Sequence, residues 1–457
     1  MTFKTGWLEI NQLVYAWVHL RDGDERSKTG LRCLELMDEW RAVNSICLQI
    51  INDLNLRKVE HKYTPFWYES LVDENETIHE EVEMRLGSMH SSTKASLTAS
   101  DNGDLWKAVR RAAIVSCVQG NFQQGLGWLS GYHDIVMFHS QINDCEALVA
   151  NRYFEYSFLH YILVFYGTIF SSEEGNMAEG FKMLEPISKK IDYYFNKNDI
   201  ILHQNSHLDE MKYYKLIKFY ELAVLFKQFH MAKFLTEFMS LLKQPDFAWL
   251  IHINPKVLCF FEISLVFLKP FNQLGLLDID DDILLEEINH YQFSNYLFNN
   301  ILSQLAQCNY AKVQQVFADG SFTNEFNAKL GPFLPVNIKK SSFLEYLHTI
   351  IDSKNFMLIM SRTQAIPKEK LIATLGYSEP SKQTALHNHL LLLIAALGLG
   401  KDNIRYSYAD EVFYNEEKKG VIERNQLSTN VANLTVEAEA ESLASIMKGL
   451  LVEKFMY

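Results

Sequence analysis

The sequence has few residues that interrupt helices, with 9 prolines and 20 glycines among 457 residues. Sandwiches and barrels need both residue types at their many tight turns, and disordered chains are rich in them, so this scarcity excludes both classes. Hydrophobic residues make up 48% of the chain, which is enough to bury a large core. We therefore expect a mainly helical protein.

The cysteines form neither a compact framework nor a CxxC pair. They are Cys33, Cys47, Cys117, Cys145, Cys259 and Cys308. Such wide spacing is typical of a reducing compartment, where most cysteines serve as small core residues.

Positive charge is also scarce, because 43 lysines and arginines face 56 aspartates and glutamates, for a net charge of −13. The chain as a whole does not attract a polyanion, which disfavours nucleic acid as a partner. A membrane-spanning helix needs about 20 apolar residues. The most apolar stretch, 158–170, is shorter and contains His160, so it predicts a buried helix. Glu9 interrupts the start of the chain before a signal peptide could form.

A pair of histidines suggests metal chemistry but lacks its companions. His387 and His389 match the His-x-His of metal-dependent isopeptidases, whereas Leu397 and Gly400 stand where that motif needs Ser and Asp. Two residues apart on a helix, the two imidazoles also point in different directions. We interpret both histidines as polar residues at the start of a helix.

An aspartate series suggests a calcium loop but is incomplete. Asp278, Asp280 and Asp282 match its first three ligands, while Ile283 replaces the required Gly and Asn289 the bidentate Glu. We predict no catalytic residue, no cofactor and no metal site, and therefore not an enzyme.

A degenerate pattern recurs along the chain: an apolar helix, a short polar turn, an aromatic residue and a smaller residue three positions later. It occurs at Phe122 with Gly125, at Phe229 with Ala232 and at Tyr310 with Val313. The aromatic residue would fill the gap between two antiparallel helices, and the small residue would allow their close approach. The pattern predicts an array of TPR-like helical hairpins, with an ordinary helical domain as the alternative.

The region 331–417 predicts a different module. Ser342 and Glu345 form a capping box that begins one helix, and Ile366 and Pro367 are expected to begin a second, which Gly376 ends. A strongly apolar segment, 386–397, predicts a core helix covered nearly all round.

Alternating residues after this core helix predict a β-hairpin. Ile404, Tyr406 and Tyr408 alternate, 409–411 form a turn, and Val412 and Tyr414 alternate again. Short helices followed by a small hairpin are typical of a winged helix, in which this hairpin is the wing.

Two polar segments and a last helix complete the organisation. The segment 88–103 is rich in Ser and Thr and predicts a mobile surface loop, and 418–430 predicts a linker. The segment 431–457 predicts an amphipathic helix whose apolar residues need another surface: Leu443, Met447, Leu450, Leu451 and Phe455. We thus divide the chain into a helical-repeat region (1–330), a winged-helix part (331–417), the linker (418–430) and a C-terminal helix (431–457).

These elements together resemble the PCI-domain proteins, the helical-repeat and winged-helix subunits of the proteasome lid, the COP9 signalosome and the translation-initiation factor three scaffold. The resemblance is best over 256–414. It rests on 256–264, 305–313 with Phe317, Phe333 and Leu334, 366–376, and the hairpin residues Ile404 and Val412. Order and spacing look most like a COP9 signalosome subunit and its proteasome-lid counterpart.

The resemblance implies a scaffold in the cytoplasm and nucleus that supports cullin deneddylation by a partner metalloprotease. Its implied partners are other PCI subunits, an MPN-type subunit and cullin-RING ligases. A short hairpin can accept a partner strand at its edge, and a terminal helix can join a bundle. The predicted interaction residues of the hairpin are Ile404, Tyr406, Tyr408, Val412, Phe413 and Tyr414, beside the five of the last helix.

The alternatives are a proteasome-lid or translation-initiation subunit, and a winged-helix nucleic-acid adaptor, for instance in mRNA export. In the adaptor, the helix after residue 380 would enter the major groove. Its only formal cation is Lys382, so it would neutralise few phosphates. Other basic residues lie nearby: Lys339, Lys340, Lys354, Arg362, Lys368 and Lys370.

Overall fold

The computed structural model describes residues 5–21, 23–91, 99–143, 153–170, 174–197, 209–243, 251–252, 254–269, 271, 282–335, 342–396 and 404–415. These residues are mainly helical, with one small three-stranded sheet, which confirms the predicted class. They form two compact units. Unit 1 lies within Met1–Glu221 and Asn324–Pro332, and unit 2 lies within Leu222–Thr323 and Phe333–Tyr457.

The described part of unit 1 consists of helices and short connections, with the end of a later helix, Gly320–Leu330, included. The other helices are α1 (Trp7–His19), α2 (Asp24–Trp40), α3 (Cys47–Leu56), α4 (Pro65–Ser91), α5 (Ala99–Gln119), α6 (Phe122–Asn143), α7 (Tyr153–Ile169), α8 (Glu174–Lys197) and most of α9 (Asp209–Lys227).

Unit 2 begins with helices and ends with the sheet. Its helices are α10 (Met231–Leu242), α11 (Lys256–Leu268), α12 (Asp282–His290), α13 (Gln292–Leu297), a π-helical turn (Phe298–Leu302), α14 (Ser303–Ala306), α15 (Tyr310–Ala318), the start of α16 (Gly320–Leu330) and α17 (Phe343–Met360). The strand β1 (Ala365–Pro367), helices α18 (Lys368–Thr374) and α19 (Pro380–Ala396), and strands β2 (Ile404–Ser407) and β3 (Val412–Asn415) follow.

The same turn ends the first helix of each predicted repeat pair. Gly120, Phe229 and Cys308 each have a positive φ, and the next backbone N–H bonds back five residues to a carbonyl of the ending helix. This is a Schellman turn, which satisfies carbonyls that the helix leaves unpaired. The next helix begins two residues after the left-handed position in all three turns. The repeated polar turns in the sequence therefore have a common backbone cause.

The structure corrects the alignment of the second repeat. Phe229 is the left-handed turn residue, and Met231, which begins α10, is the residue equivalent to Phe122 and Tyr310. Met231 is buried, and Phe234 three positions later is fully buried. The sequence misplaced this repeat because a phenylalanine rarely adopts a positive φ.

Gly125 permits the close helix approach that its pattern predicts. A Cβ atom there would lie 2.8 Å from Leu163 in α7 and 3.3 Å from Ser116 in α5. Both distances are too short for ordinary side-chain contact, so α5, α6 and α7 pack closely because residue 125 has no side chain.

A half-buried carboxylate links three helices of unit 1. Glu155 in α7 accepts hydrogen bonds from Arg110 Nε (2.5 Å) and Trp106 Nε1 (2.9 Å), both in α5, and from the Tyr213 hydroxyl (2.6 Å) in α9. Charge-assisted hydrogen bonds of this kind fix relative helix positions more strongly than neutral ones.

The predicted loop 88–103 is helical at both of its ends. Helix α4 reaches Ser91 and α5 begins at Ala99, so both ends of the segment are helical. Ser and Thr cost a helix less than about 0.7 kcal/mol each, which neighbouring turns easily offset. Residues 92–98 between the helices lie outside the described residues.

The first helix of the terminal module begins as predicted. The Ser342 hydroxyl accepts from the backbone N–H of Glu345, and the Glu345 carboxylate accepts from the backbone N–H of Ser342, so the capping box is confirmed. Gly376 ends α18 with a φ of +87°, as predicted. A Cβ there would lie 2.7 Å from the Cα of Ala311 in α15.

Two expectations for this module are wrong in detail. Ile366 and Pro367 do not begin a helix but form strand β1, because Ile366 pairs with Phe413 in β3. Proline is acceptable there because β1 is an edge strand. Helix α19 is not covered all round, since only its Leu386, Leu390 and Leu393 stripe is buried.

Among the described residues, every helix is too short or too polar to cross a membrane.

We predict opposite effects on stability for two neighbouring glycines of α6. Gly125→Ala should destabilise unit 1 by about 1–3 kcal/mol, since its methyl group overlaps Leu163. Gly127→Ala should stabilise it by about 0.5–1 kcal/mol, since nothing lies within 4 Å and alanine favours helix. Urea denaturation of both variants measures the difference. Equal effects of the two substitutions would contradict the close packing at Gly125.

Candidate protein-interaction site at the terminal sheet

The terminal sheet has the strand order β1-β3-β2, with both neighbours antiparallel to β3. The hairpin predicted from alternating residues is confirmed, because Ile404 pairs with Asn415 and Ser407 with Val412. The third strand, β1, was not predicted. Its three residues are too few for a period-2 pattern to be recognised in the sequence.

The inner face of the sheet packs on the helices of its own module. Ile404 and Phe413 are fully buried. The Phe413 ring contacts Phe356 of α17 at 5.5 Å and Tyr406 at 4.7 Å between centroids. His387 of α19 packs on the Tyr406 ring at 4.8 Å.

This packing corrects the predicted role of two interaction residues. Ile404 and Phe413 have no surface to offer a partner, because the strand alternation turns both inward. They hold the hairpin on the module instead.

Four of the predicted hairpin residues remain accessible in part or in full. Tyr406, Val412 and Tyr414 are half-buried, and Tyr408 at the turn is 75% exposed. The Tyr408 ring lies edge-on to Tyr406 at 5.0 Å. An exposed large aromatic residue beside a half-buried one forms an apolar strip at the tip of the hairpin.

The outer face of the sheet carries a cation beside an aromatic ring. Arg405 lies 5.9 Å from the centroid of the Tyr414 ring, and the two residues are register partners. Lys368 at the start of α18 lies 3.8 Å from Glu411 in the hairpin turn. Both charges of this second pair are therefore compensated locally.

Strand β2 presents a backbone edge. The backbone N–H of Asn415 donates to the carbonyl of Gln364, next to β1. Because bonding direction alternates along an antiparallel strand, Tyr414 bonds toward β2, where its register partner is Arg405. The backbone N–H and C=O of Tyr406 therefore point away from β3. Within the described residues no strand pairs with this edge of β2.

The two histidines of the His-x-His motif lie in separate environments. His387 packs on Tyr406, and burial lowers its pKa, with nearby Lys368 adding to the effect. His389 Nε2 lies 2.9 Å from the Ser353 hydroxyl of α17. In the described part of the chain no group of three or more His, Cys, Asp or Glu side chains could hold a metal ion. The aspartate series at 278–282 lies almost entirely outside that part, with only Asp282 in α12.

A buried lysine positions α17, on which the sheet packs. Lys354 Nζ donates to the carbonyls of Phe267 (2.5 Å), Val266 (2.7 Å) and Lys269 (3.2 Å) at the end of α11. These carbonyls are left unpaired by the helix and carry the negative end of its dipole. Burial lowers the pKa of Lys354 from its ordinary 10.5 to about 7. The sequence shows Lys354 only as a basic residue. Its carbonyl partners could not be predicted, because they lie more than 80 positions earlier in the chain.

The predicted interaction residues of the last helix, Leu443, Met447, Leu450, Leu451 and Phe455, lie outside the described residues.

We predict that Lys354→Met destabilises unit 2 by about 2–4 kcal/mol at pH 7, because buried carbonyls lose their donor. The depressed pKa means that the unfolded chain binds the extra proton between pH 7 and 10.5. The stability that Lys354 contributes should therefore grow as pH rises, by at most about 1.4 kcal/mol per pH unit. Denaturant titrations of wild type and variant at several pH values measure it.

Lys382→Met provides the matched control, since Lys382 is an exposed lysine paired with Glu379 at 3.1 Å. It should change stability little and leave the pH profile between pH 7 and pH 10.5 unaltered. A Lys354→Met profile parallel to wild type would show that the buried ammonium group does not titrate in this range.

No protein-family model matches this chain, and no curated protein matches it. Function must therefore be inferred from the geometry of the described residues and the sequence patterns.

Proposed function

We propose that this chain is a non-catalytic scaffold subunit of a multi-protein assembly, with a PCI-type module at its end. The observation that carries the proposal is the edge of β2, with which no strand pairs within the described residues, beside the exposed Tyr408. An edge strand pairs with a partner strand through main-chain hydrogen bonds, and neighbouring side chains supply specificity.

The element order of the terminal module supports a winged helix. Helix α17, strand β1, helices α18 and α19, and the β2–β3 hairpin follow one another in the order that a winged helix requires. The Schellman-linked helix pairs that precede it support a helical-repeat array. This combination is the reason for proposing PCI-type membership.

Three of the lysines in the module give little support to nucleic-acid binding. Lys354 is buried on helix carbonyls, Lys368 lies beside Glu411, and Lys382 pairs with Glu379. A phosphate-binding surface needs several accessible, uncompensated cations. Lys339 and Lys340 lie outside the described residues.

Within the scaffold class, we propose a COP9 signalosome-like complex in the cytoplasm and nucleus. There the chain would support a partner MPN-type metalloprotease that removes a ubiquitin-like modifier from cullins, in contact with other PCI subunits and cullin-RING ligases. A proteasome-lid or translation-initiation complex is the alternative within the same class. The resemblance over 256–414 supports this assignment.

We predict that Tyr406→Pro weakens assembly at least tenfold more than Tyr406→Thr. Both variants lose the aromatic ring, but only proline removes the N–H that points to the free edge. Thr retains the N–H and favours strands. Affinity purification of the intact chain with either substitution, followed by quantification of each co-purifying protein, measures the difference. Equal losses would mean that the β2 edge does not pair with a partner.

We predict that a chain ending at Asn430 retains fewer partners than the intact chain, since the removed segment carries the apolar positions of the predicted last helix. Mass spectrometry of the purified material identifies the proteins, and cullin deneddylation by the intact complex tests the assignment. PCI and MPN-type subunits lost together on truncation would support the proposal. The intact chain recovered folded and alone, or bound to RNA in a salt-sensitive way, would contradict it.

A further inference from the structure

Four polar side chains meet where the terminal module contacts helix α15. Gln314 comes from α15, His348 and Asp352 from α17, and Tyr377 from the turn after α18. Gln314 Nε2 lies 2.9 Å from Asp352 Oδ1, and Gln314 Oε1 lies 2.6 Å from His348 Nε2. The Tyr377 hydroxyl lies 2.5 Å from Asp352 Oδ2 and 3.2 Å from His348 Nε2.

The glutamine amide fixes the direction of its hydrogen bonds. Its nitrogen donates to Asp352, so its oxygen must accept from Nε2–H of His348. His348 Nε2 lies 3.9 Å from Asp352 Oδ2, so Gln314 bridges two groups that could otherwise form an ion pair. This hydrogen-bond order is the same whether both groups are neutral or both are charged.

Burial favours the neutral forms of both groups. Asp352 is 5% exposed, and the His348 side chain is 26% exposed, with the Phe317 ring stacked on it at 4.5 Å and an interplanar angle of 6°. Burial raises the pKa of Asp352 to about 7. Burial lowers the pKa of His348 to about 4, assisted by the positive charge of Lys382 and by His389, both in α19.

The location of the cluster gives it mechanical importance. Residue 376, next to Tyr377, is the glycine whose missing Cβ allows the turn to rest on Ala311 of α15. The cluster therefore lies next to the tight backbone contact between Gly376 of the terminal module and Ala311 of α15. If these side chains separate, the turn loses the hydrogen bonds that join Tyr377 to α17 and, through Asp352, to Gln314 of α15.

We propose that Gln314, His348, Asp352 and Tyr377 form a charge-neutral latch, in which folding moves one proton from the histidine to the aspartate. The imidazolium loses its Nδ1 proton to solvent and keeps Nε2–H for Gln314, while the carboxylate takes one proton from solvent at Oδ2. The short contact to the Tyr377 hydroxyl accommodates the carboxylic acid as donor or acceptor. Folding then takes up and releases no net proton at the cluster. The contribution of the cluster to the contact between the terminal module and α15 therefore stays the same as pH changes.

The two titrations have opposite signs. Asp352 with a raised pKa stabilises the fold at low pH, and this contribution is lost as pH rises from about 4 to about 7. His348 with a lowered pKa stabilises the fold above 6.5, and this contribution is lost as pH falls toward about 4. The pH ranges of the two titrations overlap, so their opposite effects on the free energy of unfolding cancel in the wild type. Each effect becomes visible when the other group is removed.

Urea denaturation of the intact chain from about pH 5 to about pH 8, monitored by protease cleavage within 342–396, tests the latch. Relative to wild type, Asp352→Asn should raise the unfolding constant about tenfold per pH unit as pH falls below 6.5. His348→Gln should raise it about tenfold per pH unit as pH rises toward 7. In the double variant, the unfolding constant should again change with pH as it does in the wild type. The proposal would be overturned if the unfolding constants of both single variants also followed the pH dependence of the wild type.

A second measurement does not require the variants to be stable. In wild-type protein labelled with ¹³C histidine, the His348 resonance is identified as the one missing from the spectrum of His348→Gln. If that variant does not fold, a spin label at a nearby position identifies the resonance by broadening it. The latch requires this resonance to stay at its neutral position from about pH 8 to about pH 5. A titration near pH 6.5 would show a charged histidine in the folded protein and overturn the proposal.

Discussion

The terminal module of unit 2 depends on one buried lysine. Lys354 binds carbonyls at the end of α11 and so fixes where α17 lies. The sheet packs on α17 through Phe413 and Phe356, and Asn415 donates to the Met360 carbonyl near the end of that helix. A hydrophobic contact alone would leave α17 free to slide along α11, because apolar packing is not directional. The Nζ group of Lys354 selects one register, since its N–H donors need unpaired carbonyls, which the helix leaves only at its end.

This register decides which hairpin residues are accessible. With α17 fixed, the inner side chains of the sheet are buried against the helices of the same module. This packing holds the hairpin in one position. What remains for a partner is a backbone edge, the half-buried Tyr406, Val412 and Tyr414, and the exposed Tyr408. Main-chain pairing demands such rigidity, because ordering a mobile strand on binding costs about 1–2 kcal/mol per residue.

The sequence predicted the features that arise from local physics. The capping box at Ser342, the stop at Gly376 and the alternating hairpin each involve residues close in sequence, and all are present. Strand β1 was missed because its identity as a strand depends on pairing with Phe413, 47 positions later by number. The Lys354 contacts were missed for the same reason. No local pattern distinguishes a lysine that binds a distant helix end from one on the surface.

Three polar groups of the module, Lys354, Asp352 and His348, have specific hydrogen-bond partners, which apolar packing cannot supply. Lys354 is compensated by backbone dipoles, whereas Asp352 and His348 are compensated by each other through Gln314. Replacing both members of a buried polar pair such as Asp352 and His348 by hydrophobic residues often preserves stability, so we infer that the pair serves a need for one defined geometry. A scaffold has that need, because a partner strand pairs only with an edge whose position and direction are fixed. Precision at the seat of α17 and at the turn beneath Tyr377 would then set how accurately the β2 edge meets its partner.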